Sequence, residues 1–574
     1  MGEVARLQYG TQKLFNFQGV NLRRERTLVQ DTELVRAINA DLHTSVGSIM
    51  LRRGRSLVYA LPTGAGTLRW QQTFGGTRYA IAGSTLYKAG ASLITGLSGS
   101  TQMLASMRPL NDTVTWTFIG DASSMRKEAG GTVRTWGIAA PTATPVIAAG
   151  TASALQGFYT VSYTYVRKVG SAIAHESNPS PTSAAVNILS TDLAVSNLVA
   201  STDPQVTHIR LYRTVSGGSV RLFDQELTNG TTTATSSVAD TSLGAAVETD
   251  NHVPPVAPWI TPHQEHMFFL DPANPNYLWW SKRFRPESVP TTNYIVIGTI
   301  SEPLVGMVSM VGLLGVFTAK TKYRVLGNET SGFVHQEALS SRGTPAPQAA
   351  LVTEKGCIFP ARDGLFRTNF VQEDEELSGL IAPLFDGRTV NGYLPINWNA
   401  AATMSLAYYK SRLYFAYPSG DQGSPDMVAV YSFHTNQWYF YQMNVDSLYV
   451  EEETDQLFAG QGDVVTALES GMDDLGQPIT MIVEPANRDF DDQFLRKRFD
   501  YVRVDADVQH GSILCEVYID DIRVRRLLLT GHVPRLLRLG GIQGFTWRVV
   551  LTYTGRETVA INGVEMQALP LEMQ

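Results

Sequence analysis

The sequence predicts an all-β protein built around a β-propeller of about seven blades. Short runs rich in Val, Thr and Tyr are separated by Gly, Pro, Asn or Asp along nearly the whole chain, which contains 49 Gly and 27 Pro. A hydrophobic strand, a short polar turn and an aromatic-bearing strand recur about every 40 residues, a rhythm typical of propeller blades. Helix signals are few by comparison.

The repeat depends on spacing and not on a consensus, because no WD or Kelch motif is present. The cores of the seven units lie at 68–96, 101–136, 259–287, 303–327, 350–370, 403–443 and 447–468. Within one unit, Val428–Phe433 and Gln437–Tyr441 flank the turn His434–Asn436 and predict a hairpin. A short helix is predicted over Thr32–Leu42, where apolar residues follow helical spacing.

Two segments interrupt this rhythm and divide the chain. Residues 141–258 are rich in Ala, Thr, Ser and Val, are bordered by prolines and contain short alternating strands, which predict an inserted immunoglobulin-like or fibronectin-type sandwich. Residues 476–574 contain longer alternating strands and predict a C-terminal β-sandwich. The first propeller blades therefore fall in 1–140 and the remaining blades in 259–475.

Composition and charge argue against several classes of partner. The net charge is −7, whereas a protein that grips nucleic acid carries a basic excess or a basic stripe. Cys357 and Cys515 are too far apart for a CxxC motif, so we expect two buried thiols in a reducing cytoplasm. The uncharged segment 303–319 is short for a membrane span and contains glycines, and it predicts two buried strands joined at Gly312.

The candidate chemical groups have structural interpretations. His263 and His266 are predicted to lie in a turn that enters a strand, where residues three apart face opposite sides and cannot share a metal ion. The acidic runs Glu373–Glu376, Glu451–Glu453 and Asp489–Asp492 are interpreted as solvated loop faces. No nucleophile elbow, phosphate-binding loop or dinucleotide fingerprint is present. We therefore assign no catalytic, cofactor-binding or metal-binding residues and predict that the chain is not an enzyme and needs no cofactor.

The N-terminal segment 15–56 carries a family resemblance. Its motif residues are Gly19 and Asn21, Glu33, Asn39 and Asp41, Gly47, and Arg53–Gly54–Arg55. In this order they resemble the opening of bacteriophage tail proteins of the podophage nozzle type, which are built on a β-propeller. The strings GFYTVSYTYV, CIFPARDGLFR and FDYVRVDADV resemble, in turn, the inserted domain, a later blade and the C-terminal domain of the same family.

The resemblance implies a structural virion protein of the tail, assembled in the host cytoplasm. Six copies would form a ring below the portal and the tail adaptor protein, support tail fibres and surround a channel through which DNA leaves without specific binding. Two alternatives stay open. One is another tail part, such as a plug or a fibre-attachment protein, and the other is a carbohydrate-binding or glycosidase-like propeller with carboxylates converging in its central pocket.

Overall fold

The computed structural model describes residues 10–99 and 103–571, and nearly all of its regular structure is β-strand. One short α-helix, Ala382–Phe385, is present in these residues, together with five 3-10 turns at Arg26–Leu28, Asp240–Ser242, Pro347–Ala349, Gly379–Ile381 and Trp398–Thr403. The predicted all-β class is therefore confirmed.

The N-terminal segment contributes five strands that do not pair mainly with one another. They are β1 (Gly10–Phe15), β2 (Leu34–Ile38), β3 (Ala40–Asp41), β4 (Ile49–Leu51) and β5 (Arg55–Ala60). The helix predicted over Thr32–Leu42 is wrong, because this stretch forms β2 and β3. Asn39 has a φ of +54°, which interrupts any helix, and β2 gains hydrogen-bonding partners on two later strands described below.

Three four-strand sets come next, two of them between the N-terminal strands and the insert and one after the insert. The strands of each set are neighbours in chain order. The sets are β6 (Leu68–Phe74), β7 (Thr77–Ala82), β8 (Thr85–Lys88) and β9 (Ala91–Ile94); β10 (Met103–Met107), β11 (Trp116–Gly120), β12 (Arg126–Ala129) and β13 (Thr132–Thr135); and, beyond the insert, β21 (Trp259–His263), β22 (His266–Leu270), β23 (Tyr277–Trp280) and β24 (Tyr294–Val296).

Four further sets complete the repeated part of the chain. They are β25 (Leu304–Met310), β26 (Leu313–Thr318), β27 (Lys322–Asn328) and β28 (Gly332–Glu337); β29 (Leu351–Thr353), β30 (Gly356–Ala361), β31 (Gly364–Thr368) and β32 (Glu375–Glu376); β33 (Ser405–Tyr409), β34 (Arg412–Tyr417), β35 (Met427–Ser432) and β36 (Gln437–Gln442); and β37 (Ser447–Glu451), β38 (Gln456–Gln461) and β39 (Val464–Leu468). The last set has three strands of its own, and β5 pairs antiparallel with β39 as its fourth.

The predicted hairpins of the repeated part are confirmed. β35 and β36 pair antiparallel across residues 433–436, and β25 and β26 pair across Gly312, whose φ is +81°. Within the described residues no helix is long and apolar enough to cross a membrane. Both cysteines are buried free thiols, as predicted.

The predicted insert forms two sheets around one core. Its strands are β14 (Val146–Tyr159), β15 (Val161–Val169), β16 (Ala172–Glu176), β17 (Val186–Ser196), β18 (His208–Thr214), β19 (Arg221–Thr228) and β20 (Ala234–Ser236). The sheet orders are β14-β17-β20 and β16-β15-β18-β19. Val161 and Tyr163 from one sheet and Ile188 and Leu193 from the other belong to the same buried cluster.

The C-terminal strands are β40 (Ile479–Pro485), β41 (Lys497–Ile519), β42 (Ile522–Gly544), β43 (Trp547–Gly555) and β44 (Val559–Pro570). They belong to a 13-stranded sheet that also contains β1 to β4 and β33 to β36. β1 pairs with β44, and β2 pairs with both β40 and β36. The strands predicted to form a separate C-terminal sandwich are thus hydrogen-bonded to the start of the chain.

The described chain divides into two compact units whose limits differ from the four predicted segments. One unit contains the segment that ends at Gly83, Tyr87–Ser92 and the segment that begins at Leu339. The other contains Ser84–Leu86 and Leu93–Ala338, and hence the insert. In the first unit the core is centred on β34 and β35, all of whose residues are buried.

Candidate functional site

A cleft of about 570 Å³ lies in the first unit on the first strands of four sheets. These four strands are neighbours in the order β29, β33, β37 and β6. The lining of the cleft includes Arg69–Gln72, Leu351–Glu354, Ser405–Tyr408 and Ser447–Val450. Four of the repeats each contribute residues of their first strand, so the cleft is a product of the repeat and not of one motif.

Two buried polar atoms in the cleft lack a hydrogen-bond partner among the described residues. They are Trp70 Nε1, a donor, and Gln72 Oε1, an acceptor. The neighbouring Gln71 is satisfied, because its Nε2 donates to Ser447 Oγ at 2.8 Å. An unsatisfied buried polar group costs free energy, so a partner that reached either atom would relieve that cost.

Tyrosines and carboxylates complete the lining. The hydroxyl of Tyr408 donates to Glu354 Oε1 at 2.9 Å, and Tyr449 Oη accepts from the backbone N–H of Thr73 at 2.9 Å. Burial and the bond to Glu354 both raise the pKa of Tyr408. Glu354 and Glu452 are the carboxylates in the lining, and both are exposed.

Glu451, beside the cleft, corrects one interpretation of the acidic runs. The run Glu451–Glu453 was expected to be solvated, but the Glu451 side chain is 2% exposed. It accepts from Arg78 Nε and Nη2 at 2.7 Å each and from Thr73 Oγ1 at 2.8 Å. The Arg78 hydrogen bonds lower the pKa of Glu451 to about 2. This carboxylate is therefore a fixed anion that ties β37 to β6 and β7.

His263 and His266 lie closer together than was predicted for two residues three apart on one strand. Gln264 and Glu265 form a two-residue turn with positive φ angles, so His263 and His266 are cross-strand partners in the hairpin β21–β22. His263 Nδ1 lies 2.9 Å from Ser309 Oγ, and His266 Nδ1 lies 2.7 Å from the carbonyl oxygen of Ser281. In the described part of the chain no three His, Cys, Asp or Glu side chains are grouped for a metal ion.

The second unit contains a buried ionic network, the 127–287 network, that sequence reasoning missed. Its members are Asp112, Trp116, Lys127, Arg167, His175 and Glu287. Lys127 Nζ pairs with Glu287 Oε1, and the side chains are 0% and 2% exposed. Arg167 lies 2.7 Å from Asp112 Oδ2 and 3.5 Å from Glu287 Oε2. Since β15 carries Arg167 and β12 carries Lys127, the network joins the insert to the sheet before it.

Burial and neighbouring charges shift the pKa values of this network in opposite directions. Burial lowers the pKa of His175 to about 4, and the Nε2 of its neutral ring accepts from the backbone N–H of Ile138 at 3.3 Å. Burial alone would raise the pKa of Glu287, but the positive charges of Lys127 and its neighbours outweigh it and lower that pKa to about 2. Widely spaced residues of ordinary type gave no sequence signal for this cluster.

The first residues of the family motif are held by buried contacts. At Gly19 a Cβ would come within 2.6 Å of the backbone nitrogen of Trp438, so only glycine allows this approach to β36. The Nδ2 of Asn21 donates to both carboxylate oxygens of Glu33 at 3.0 Å. All three positions therefore have a structural reason for their residue type.

The later motif residues join the N-terminal segment to distant strands. Asn39 Nδ2 donates to the Thr480 carbonyl at 2.8 Å, and its Oδ1 accepts from Arg52 Nε at 2.8 Å. Arg52 also donates to both carboxylate oxygens of Asp474, at 3.0 and 2.5 Å. The family motif includes Arg53, which is exposed. Its neighbour Arg52 is 1% exposed and makes the anchoring contacts.

The remaining motif positions are turns and close approaches. Asp41 Oδ1 accepts from the backbone N–H groups of His43 and Thr44 at 2.7 and 3.1 Å. Gly47 has a φ of +86°. At Gly54 any Cβ would overlap the backbone of Asp473.

Comparisons with known proteins give little guidance. No protein-family model matches the sequence, and no curated protein matches it. Among solved structures, the chain is similar to an exo-β-1,3-galactanase from Phanerochaete chrysosporium with galactose, at 8% identity and a TM-score of 0.16 over 65% of this chain and 95% of that one. A variant of that enzyme with β-1,3-galactotriose matches at 8% identity and a TM-score of 0.18, over 90% of this chain and 100% of that one.

A third similar structure is the extracellular domain of a hybrid two-component system from B. thetaiotaomicron. It matches at 9% identity and a TM-score of 0.15, over 91% of this chain and 99% of that one. The prediction that the chain is not an enzyme is wrong, because structures of a glycoside hydrolase are among those similar to it. TM-scores this low carry no argument for a particular activity.

Proposed function

We propose that this chain is a structural virion protein, a subunit of a hexameric podophage tail nozzle below the portal and adaptor. The ring surrounds the channel through which DNA leaves and supports fibre attachment. The seven four-strand sets are the blades of its propeller, and the insert is its immunoglobulin- or fibronectin-like domain. The C-terminal strands, which share a sheet with the N-terminal strands and with β33 to β36, are its C-terminal domain. Another tail part, a plug or a fibre-attachment protein, is the alternative within the same class.

The observation that carries this proposal is the way the motif segment closes the chain on itself. β5 completes the sheet of β37 to β39, β2 pairs with β40, and β1 pairs with β44. Residues of the family motif, above all Asn39 and Gly54, make the contacts that hold these pairings. A chain whose first and last strands are hydrogen-bonded to each other resists unfolding by force. The wall of a channel under mechanical load needs that resistance.

Charge gives secondary support. The net charge of −7 disfavours tight binding of a polyanion, and DNA must slide through a tail channel without being retained. The podophage tail is proposed on the resemblance of the N-terminal motif, and the charge is consistent with that role.

The test is the mass and projection image of the purified protein, alone and with the tail adaptor. We expect rings of six with an open centre, measured by light scattering and negative-stain microscopy, in one or both conditions. Monomers of 62.9 kDa that ignore the adaptor would overturn the proposal. A closed centre or a trimer would favour the plug or fibre-attachment alternative.

A second candidate function, carbohydrate binding, is favoured by the unpartnered atoms of the cleft. An aromatic ring beside a free donor and a free acceptor suits a sugar, which presents an apolar ring face edged by hydroxyls. Trp70, Gln72 and Tyr408 supply this combination. A saccharide bound here would lie across the starts of neighbouring first strands.

A glycan array followed by calorimetry tests this candidate, with Trp70→Phe as the variant. We expect loss of the indole donor to weaken binding about tenfold, because a buried sugar hydroxyl would lose its partner. Trp279→Phe is the matched control, since Trp279 Nε1 is also buried without a partner but lies in the other unit. Release of reducing sugar in the same samples would add hydrolysis to binding, and no binding by wild type would remove this candidate.

A further inference from the structure

The long C-terminal strand β42 has one open edge. Within the described part of the chain it is hydrogen-bonded along one side only, to β41, while β41 is covered on its other side by β43 and β44. A strand of 23 residues thus presents a row of unpaired backbone N–H and C=O groups. Such an edge is a template for pairing with another chain.

The side chains of β42 add apolar area to this edge. Ile522, Leu528 and Leu536 are 69%, 65% and 48% exposed. Proteins commonly protect an open edge with charge, and β42 carries arginines. Ile522, Leu528 and Leu536 are spread along the strand, so each would give a separate apolar contact to a strand paired with this edge.

The charge on β42 is of one sign only. It contains no Asp or Glu, and its arginines are Arg523, Arg525, Arg526, Arg535 and Arg538. Arg523 and Arg526 lie 2.7 and 3.9 Å from Glu516. No carboxylate among the described residues pairs with Arg525 or Arg538. Arg525 and Arg538 are thus positive charges without a carboxylate partner on this strand, in a chain whose net charge is −7.

A complementary edge exists elsewhere on the same chain. β32 is the last strand of its sheet and is hydrogen-bonded to β31 alone within the described residues. It belongs to the run Glu373–Glu376, in which Glu373, Glu375 and Glu376 are exposed, and Val371 beside it is 47% exposed. Glu375 is paired with Arg367 of β31, so Glu373 and Glu376 supply the unpaired negative charge of this short edge, opposite in sign to Arg525 and Arg538 of β42.

We propose that the β42 edge of one copy binds the acidic edge 373–376 of a second copy. Opposite charges favour the pairing of a β42 edge with an acidic edge, whereas two β42 edges or two acidic edges would repel each other. Because the two surfaces differ, the contact is head-to-tail, and a head-to-tail contact closes into a ring when its rotation allows. The inference names the contact surfaces of the ring and rests on the ring-forming function proposed above.

The experiment is a charge swap in the full chain. Arg525→Glu with Arg538→Glu reverses the basic edge, Glu373→Arg with Glu376→Arg reverses the acidic edge, and a third variant carries all four changes. Arg283→Glu with Arg388→Glu is the control for the basic edge, because it makes the same change in net charge at exposed arginines outside both edges. Assembly is followed by sedimentation over a range of concentrations, with the adaptor present where wild type requires it, and folding by circular dichroism.

We expect each single-edge reversal to raise the concentration needed for assembly by about tenfold or more, since like charges then face each other at every contact. The four-change variant restores assembly, because both edges have changed sign, and the control assembles as wild type does. Normal assembly of both single-edge variants would overturn the inference and leave the nozzle proposal standing. A wild type that never assembles would overturn both.

One outcome would assign the basic edge to a different partner. If wild type binds duplex DNA, if Arg525→Glu with Arg538→Glu abolishes that binding, and if its assembly is unchanged, β42 binds a polyanion. That result would overturn docking of a second copy on β42.

Discussion

At the scale of single residues, the 127–287 network buries several charged side chains close together. Lys127 and Glu287 are almost wholly buried, and Lys127 Nζ also lies 4.6 Å from the centre of the Trp116 ring. Removing two charges from water is costly, and only good geometry with further hydrogen bonds offsets that cost. Gly137 N–H and Arg167 supply those extra contacts to Glu287.

Glu287→Gln is therefore expected to be strongly destabilising, by about 3–5 kcal/mol, because it leaves Lys127 as an uncompensated buried cation. Urea unfolding gives the measurement. The double variant Lys127→Met with Glu287→Met is the control, since it removes both charges and should recover most of the loss. Equal destabilisation by the single and the double variant would show that cavity or packing effects dominate.

His175 makes the same network sensitive to acid. Its pKa falls from the usual value near 6.5 to about 4 in the folded chain, so the unfolded state binds the proton more readily. The stability that this neutral histidine contributes is complete above pH 6.5 and is lost as the pH falls towards 4. We expect the thermal midpoint to decrease between pH 7 and pH 4.5.

His175→Gln tests the assignment, because the amide oxygen can accept from Ile138 N–H without titrating. Its thermal midpoint should depend less on pH between 6.5 and 4.5 than that of wild type. An unchanged pH dependence would mean that other groups cause the effect.

At the scale of elements, the N-terminal strands depend on close backbone contact with distant segments. The backbone N–H of Gly54 donates to the Gly471 carbonyl at 3.1 Å, and Ser470 N–H donates back to the Gly54 carbonyl at 3.0 Å. These bonds place β5 beside β39. Their geometry leaves no space for a side chain at position 54.

Gly54→Ala is expected to cost about 1–3 kcal/mol in unfolding free energy, because its Cβ must displace the Asp473 backbone. Gly423→Ala is the matched control, since nothing lies within 4 Å of a Cβ there and its φ is not in the left-handed region. The control should differ from wild type by no more than about 0.5 kcal/mol in denaturant unfolding. A mild effect at Gly54 would mean that the 470–474 segment yields easily.

Sequence patterns predicted elements well where pairing was local. The hairpins of 427–442 and 304–318 were predicted because strand, turn and strand follow one another directly. The helix over 32–42 was wrong because apolar spacing in a short stretch suits either structure. Pairing of β2 with β40 and β36, far away in sequence, decided it.

At the scale of the whole molecule, the insert and the C-terminal strands differ in independence. The insert has its own two-sheet core, whereas β40 and β44 take partners from β1, β2 and β4. We expect a fragment of residues 138–258 to fold alone and melt cooperatively by circular dichroism. A fragment of residues 476–574 should lack a cooperative transition, and a cooperative melt of that fragment would contradict the role given to the N-terminal strands.

The sequence by itself determined the all-β class, the rhythm of four-strand units and most local hairpins. These depend on alternation and turn residues, which act between neighbours in the chain. Only the tertiary structure decided the pairing of β5 with β39, the cleft on four first strands and the 127–287 network. The physical reason is that these features join residues tens to hundreds of positions apart, and local patterns contain no record of which distant strands will meet.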